Sequence, residues 1–284
     1  MKKFIFLGSI ALLILSCGSD DDDNTVDNSN PTSQNVILPV KMSVDGEVRK
    51  INYDGTKILN ITDPNNSGNK VVFSYNGDLI SNIKFYEENI LQTAMEYTYN
   101  SNNLLVGATD REYSSTGVVE YIVTNTYTHV SSNQISVKRQ ASGGSNMSSI
   151  MNTVYNYSNG NMVSASGNGS GTTTNGTTTN YTETATYTYT DKNYPFKNVK
   201  GFDKLVYTND QGDGMSYLFS NIKNNISSYK VTSSWSTGTS YTAYKFTTTF
   251  SSSGYPIYES RQPTDINGVP SSSQPEIHTY EYNH

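Results

Sequence analysis

Residues 155–162 read Tyr155-Asn156-Tyr157-Ser158-Asn159-Gly160-Asn161-Met162. In an extended strand, residues i and i+2 share a face, so Tyr155 and Tyr157 point one way and Asn156 the other. Asn159-Gly160 then supplies a tight turn, because Asn and Gly tolerate the positive φ that hairpin turns demand. Met162 opens an apolar face beyond the turn. The same order recurs at Tyr75-Asn76-Gly77-Asp78-Leu79, between Tyr99 and Leu104, and between Phe250 and Tyr255.

Working outward from this unit, a period emerges. Aromatics separated by one residue recur as Phe73/Tyr75, Tyr97/Tyr99, Tyr155/Tyr157, Tyr187/Tyr189, Tyr217/Phe219 and Tyr280/Tyr282, with looser copies at Tyr127 and Phe250. Successive copies lie 24 to 32 residues apart. Such a length holds two strands of about ten residues and two turns, so one period is one β-hairpin. Eight copies predict an all-β body, an antiparallel sheet of about 14–18 strands built from repeated hairpins. The expected form is a single twisted layer or a partly closed, barrel-like sheet. From residue 36 onward no apolar pattern recurs at three and four residues, so no helix is expected.

Composition agrees and narrows the function classes. Asn, Ser and Thr make up 104 of 284 residues, and Tyr contributes 23 against nine Phe and one Trp. Low aliphatic content excludes a multispanning helical membrane protein, and a single cysteine excludes a disulfide framework. No basic stripe answers nucleic-acid phosphate. A transmembrane barrel would need an apolar outward band between aromatic girdles. Here the face alternating with the aromatics is polar, as at Lys84 and Thr247-Thr248-Thr249, which argues against one. Most tyrosines are expected in the core, with hydroxyls reaching the margin of a thin sheet.

The aromatic-x-aromatic unit, followed by a polar residue, Gly or Asn and an apolar residue, resembles the YD (RHS-type) repeat and related hairpin-repeat lipoproteins of unknown function in Bacteroidota. The resemblance spans roughly residues 70–284. Asn, Ser or Thr stands where that repeat has Asp, and no Gly-Arg pair follows. The resemblance therefore implies architecture and carries over neither toxin delivery nor a ligand.

Residues 1–16 read as a lipoprotein signal peptide. Lys2 and Lys3 precede an apolar run from Phe4 to Leu15, too short to span a bilayer. Leu15-Ser16-Cys17-Gly18 resembles the bacterial lipobox, which implies lipidation of Cys17 and a membrane partner through that anchor. Ser19 and Asp20, Asp21, Asp22 and Asp23 follow, resembling the Bacteroidota export signal that sends lipoproteins to the outer face of the outer membrane. The alternative is an acidic spacer on the periplasmic face. Residues 17–35 are expected to form a lipidated, disordered tether, with residues 36–284 as the hairpin-repeat domain. Residues 18–35 hold five aspartates and no basic residue, and residues 1–16 hold Lys2 and Lys3, so a formal net charge of −6 for the whole chain leaves the body at −3.

Catalytic chemistry is sparse. His129, His278 and His284 are the histidines, and no HExxH or paired Cys/His spacing suggests a metal site. The carboxylates Glu96, Asp110, Glu112, Glu120, Glu183, Asp203 and Glu259 are scattered; a glycosidase would need two of them to converge. Residues 209–214 (NDQGDG) hold some oxygen ligands of a calcium loop but read better as a turn. Neither a catalytic residue, a metal nor a cofactor is assigned. Residues 167–180 (GNGSGTTTNGTTTN) read as a long loop or the tips of two strands. Trp235, in Ser233-Ser234-Trp235-Ser236-Thr237, is the best candidate for stacking on a sugar ring, against the alternative of packing.

These features point to a lipid-anchored cell-envelope protein acting as a non-catalytic surface binding or adhesion module, with a glycan or an envelope protein as partner. One alternative is a structural or partner-binding component of an outer-membrane assembly that recruits partners through sheet edges or faces. A carbohydrate-active enzyme is the weakest reading.

Overall fold

The computed structural model describes residues 36–143, 147–206 and 222–283. Cys17, Ser19 and Asp20 to Asp23 lie outside these residues, as do the Tyr217/Phe219 repeat copy, the 209–214 turn and His284. The first strands are β1 (Pro39–Val44), β2 (Glu47–Asp54), β3 (Lys57–Asp63), β4 (Asn66–Asn76), β5 (Leu79–Glu87) and β6 (Ile90–Tyr99). They are followed by β7 (Leu105–Tyr113), β8 (Val119–Ser131), β9 (Gln134–Gly143), β10 (Met147–Ser158) and β11 (Asn161–Thr172). The last are β12 (Thr178–Asn193), β13 (Asn224–Trp235), β14 (Gly238–Phe250), β15 (Pro256–Pro263) and β16 (Glu276–Tyr282).

Each strand pairs antiparallel with its sequence neighbours, and β1 pairs with β16, closing a 16-stranded barrel. Closure corrects the single-layer alternative. It also removes the unpaired strand edges through which envelope partners were expected to dock. The physical reason is that a large twisted sheet with one apolar face buries that face by curling onto itself.

The aromatic period maps onto the strands directly. Seven of the eight copies fall on the even-numbered strands β4 to β16, near the end where each hairpin turns. A register shift accompanies the second aromatic: Ser74 pairs with Asn82 but Tyr75 with Ile80, and Asn156 with Ser164 but Tyr157 with Met162. The extra residue lies on the partner strand, Ser81 or Val163, and this recurrent bulge lets Ile80 and Met162 face inward beside the aromatic. Residues 167–180 prove to be the ends of β11 and β12 with a five-residue turn between them.

Inward positions form the core. Leu38, Met42, Ile58, Ile61, Phe73, Ile80 and Ile83 pack at the rim where Val36 and Asn283 lie, joined by Tyr194, Phe196, Val199, Phe202 and Leu205. These last residues belong to the β12–β13 connection, which contains a 3-10 turn at Phe202–Lys204 in place of another hairpin. The ring of Phe202 stacks on Phe196 at 5.6 Å between centroids and on Phe73 at 6.1 Å, so the connection caps the interior. A second cluster, with Tyr127, Val137, Tyr155, Met162 and Tyr187, continues the core under β7 to β12.

Outward positions are predominantly polar. On β12, Thr182, Thr184, Thr186 and Thr188 are exposed while Ala185 and Tyr187 are buried. On β8, Thr124, Thr126 and Thr128 alternate with buried Val123, Asn125 and Tyr127. Lys138, Lys245 and Glu96 also face out. This is the reverse of the pattern a membrane-spanning barrel requires, in which lysine at the bilayer midplane costs about 2–4 kcal/mol.

Candidate functional site

Two candidate regions were resolved, one inside the barrel and one on its outer surface.

The inner region gathers charges on β15 and β16. Arg261 donates from Nε to Glu259 at 2.7 Å and from Nη1 to Glu276 at 3.3 Å. Asn225 donates to the other oxygen of Glu259 at 2.9 Å, and His278 Nε2 is hydrogen-bonded to Glu276. Glu259 and Arg261 are 3% and 6% exposed, and His278 is wholly buried. Burial, with the Arg261 guanidinium beside it, holds the His278 imidazole below its ordinary value despite the carboxylates of Glu276 and Glu259. Burial acts to raise the Glu276 carboxyl, but hydrogen bonds and charge from His278 and Arg261 outweigh it and hold the group below the usual carboxylate range. Each of these charges spends its contacts on protein partners. The cluster is a satisfied ionic network within the wall, which is what buried charge requires.

The outer region is a continuous groove across β8 to β13 at the rim opposite the chain ends. One half, about 450 Å³, is lined by Ile122, Thr124, Gln140, Ser142, Ser148, Ile150, Ser170 and Thr172. The other half, about 650 Å³, adds Asn152, Asn168, Asn180, Thr182, Ser234, Trp235 and Ser236. Ile150 and Ser170 border both. Strand pairing arranges these residues in rows perpendicular to the strands. Thr124 faces Gln140, Gln140 faces Ile150, Ile150 faces Ser170, and Ser170 faces Asn180. A second row runs from Asn152 through Asn168 and Thr182 to Ser234.

The sequence of β11 explains why the groove lies here. Its inward positions near this rim are Gly167, Gly169 and Gly171, so nothing on that strand holds the wall out. A Cβ at Gly169 would stand 2.5 Å from the Ile150 carbonyl oxygen and 2.8 Å from the Tyr181 ring, which already fills the space. A glycine run of this kind lets a sheet bend. Short Ser and Thr side chains on the other face then deepen the hollow.

Of the residues singled out from sequence, Trp235 borders the far end of the groove and is 39% exposed, but it pairs with Tyr181 and so stands on the inward face of the wall, at the open rim. The carboxylates do not converge there. Glu96 pairs outward with Arg111 at 2.8 Å, Asp110 and Glu112 face inward from β7, and Glu183 accepts a hydrogen bond from Ser233. His129 donates from Nε2 to the Leu105 carbonyl at 2.8 Å. Sequence reasoning missed the groove's amides, Gln140, Asn152, Asn168 and Asn180. A signal existed: Ile122 and Ile150 are apolar at positions whose parity faces water.

The barrel has a solved counterpart. A porin-like protein from Bacteroides vulgatus ATCC 8482 superposes with a TM-score of 0.57 at 12% identity, covering 87% of this chain and 99% of that one. The likeness is one of fold. A porin-like protein from Bacteroides uniformis ATCC 8492 matches at a TM-score of 0.44 and 12% identity, over 86% of this chain and 96% of the other. No protein-family model and no curated protein matches the sequence.

Proposed function

We propose that this chain is a lipid-anchored outer-membrane protein that holds its barrel in water, outside the bilayer, as a non-catalytic binding module. The observation that carries this reading is the inversion of the barrel wall: threonine, serine and lysine outside, tyrosine and isoleucine inside. Such a wall needs a separate attachment to a membrane. The lipobox-like Leu15-Ser16-Cys17-Gly18 supports that attachment, since two or more acyl chains hold a protein stably where one does not. The solved counterpart's Bacteroides source supports the same location.

Topology supports an outward-facing binding surface. Leu38 and Asn283 exchange hydrogen bonds, so the chain enters and leaves at one rim. A tether ending at Val36 would present that rim to the membrane and the groove to the exterior. Eighteen tether residues reach roughly 20–25 Å. Among the described residues the groove is lined mainly by amides and hydroxyls, with Ile122 and Ile150 and no carboxylate, which suits binding.

Replacing Cys17 with Ala should move the protein from the membrane fraction to the soluble fraction; retention of the variant would overturn the anchor. Protease treatment of intact cells should degrade the wild-type barrel, whereas full protection would assign it to the periplasmic face.

A further inference from the structure

Resting on the lipid-anchor reading, we propose that the rim where Val36 and Asn283 lie is a docking surface for the anionic headgroups of the membrane that carries the anchor. A lipid tether alone leaves the barrel free to turn; this rim gives it one orientation. The β12–β13 connection supplies the surface. Tyr194, Phe196, Val199, Phe202 and Leu205 are buried in the barrel's core, while Lys197 and Lys200 between them are exposed and Lys204 is half-exposed. Hydrogen bonds seat this segment on the rim. The Lys200 N–H donates to the Thr56 carbonyl, the Asn198 amide to the Ile37 carbonyl and the Asn193 N–H to the Gly254 carbonyl.

The two ends of the barrel differ in charge. Among the described residues, the connections at this rim carry Lys197, Lys200, Lys204 and Lys223 against Asp78 and Asp203. Those at the opposite rim carry Asp45, Glu88 and Asp265, with no lysine or arginine. Adjoining strand ends add Lys57 and Lys192 here, balanced by Asp54 and Asp191, and Glu47, Glu87 and Glu276 opposite. Exposed aliphatic side chains occur at both rims, such as Leu104 and Val130 here and Val118 and Val269 opposite, so charge is what separates the ends.

Local ion pairs take up part of the positive charge. Asp78 pairs with Lys57 at 3.4 Å and with Lys200 at 3.2 Å, Lys204 with Asp203 at 3.0 Å and Lys192 with Asp191 at 3.5 Å. Exposed pairs of this kind are weak and oppose a competing phosphate only slightly. Lys197 donates to the Asn193 amide oxygen at 2.8 Å, and neither it nor Lys223 pairs with a carboxylate among the described residues.

The layout of the lysines suits a planar array of anions. Lys57 and Lys200 stand by the β2–β3 and β4–β5 turns, Lys223 against Gly160 in the β10–β11 turn, and Lys192 against Gly254 in the β14–β15 turn. A membrane surface meets all these arcs of the ring at once. The chain's own acidic run does not, since Asp20 to Asp23 span at most roughly 14 Å when extended. Each lysine close to an anionic surface raises partition about fivefold. Tethering makes the contact intramolecular, so a few such lysines suffice to set the orientation.

The test uses the full chain carrying Cys17→Ala, which has no acyl chain to hold it, and co-sedimentation with vesicles. Residues 1–16 are present in every sample and cancel in the comparison. Binding is expected to vesicles with about one third phosphatidylglycerol, little to phosphatidylcholine alone, and release at about 0.5 M NaCl, where screening is strong. Lys197→Gln with Lys223→Gln should lower the anionic partition roughly thirtyfold. Lys84→Gln with Lys245→Gln removes the same charge from the outer wall and should leave it unchanged. Thermal unfolding of both pairs should match the parent chain, because exposed lysines are replaced. Equal effects of the two pairs, or no preference for the anionic vesicles, would overturn the proposal. So would binding that appears only with Asp20→Asn, Asp21→Asn, Asp22→Asn and Asp23→Asn together, because the tether would then hold the rim. Fractionating cells at the same salt keeps the readings apart. Cys17→Ala protein retained in that membrane fraction counts against the anchor, whereas release there with no vesicle preference loses only the docking rim.

Discussion

The smallest unit that repeats here is a hydrogen bond beneath a hairpin. The Tyr99 hydroxyl donates to the Ile80 carbonyl at 2.9 Å, and Ile80 is the residue paired with Tyr75 of the preceding repeat. Tyr189 reaches Met162, the partner of Tyr157, and Tyr282 reaches Pro256, the partner of Phe250. In these three cases a repeat locks the one before it. Burial pushes the hydroxyls of Tyr99 and Tyr282 far above their ordinary value, so they remain protonated donors at any physiological pH. His129 makes the same connection to Leu105, the partner of Tyr99, and so stands where the repeat has its second tyrosine. On this basis His129→Tyr should preserve stability, while His129→Ala leaves the Leu105 carbonyl unpaired at about 1–2 kcal/mol. Denaturant unfolding of the two variants checks the pair. Equal losses would show that the hydrogen bond contributes nothing. His129 is thereby accounted for as a tyrosine equivalent.

At the level of elements, what the chain announces and what it conceals have different physical origins. Tyr155 and Tyr157, with Asn159-Gly160 behind them, announce a hairpin because strand parity and turn geometry are local properties. The β12–β13 connection breaks the period for a tertiary reason. Its buried aromatics, Tyr194, Phe196 and Phe202, gain their value only by meeting Ile80, Phe73 and the other inward residues of strands more than a hundred positions away. Local pattern cannot reveal that destination. The groove was hidden for the same reason: its polar lining comes from six strands, β8 to β13. The connection's role as a cap yields its own expectation. Phe202→Ala should cost about 3–5 kcal/mol through lost burial and the cavity left against Phe196 and Phe73. Thermal unfolding measures it, and a loss below about 1 kcal/mol would show the segment merely lies over the rim.

For the whole molecule, the decisive event is closure, since β16 must find β1 across more than two hundred residues. Hairpin repetition says nothing about where the series ends, which is why a closed barrel and a single layer were equally compatible with the sequence. Next to that seam lies the buried network of Glu259, Arg261, Glu276 and His278, and it makes closure sensitive to acid. His278 has its folded-state value held below the ordinary 6.5, chiefly by burial. As pH falls below that value the unfolded chain takes up the proton first, so stability declines until the folded-state value is passed. Glu276, held below its ordinary 4.5, contributes stability that is present above that value and lost as pH drops further. Both groups act in the same direction, the histidine in the upper window and the carboxylate in the lower. The melting temperature should therefore fall as pH is taken from 7 to 4. His278→Gln, which keeps a donor facing Glu276 but cannot titrate, should flatten the curve just below pH 6.5 and, because the imidazole's charge beside Glu276 is also lost, shrink without abolishing the decline below 4.5. An unaltered slope in the upper window would show that the seam's histidine is not the group that senses acid.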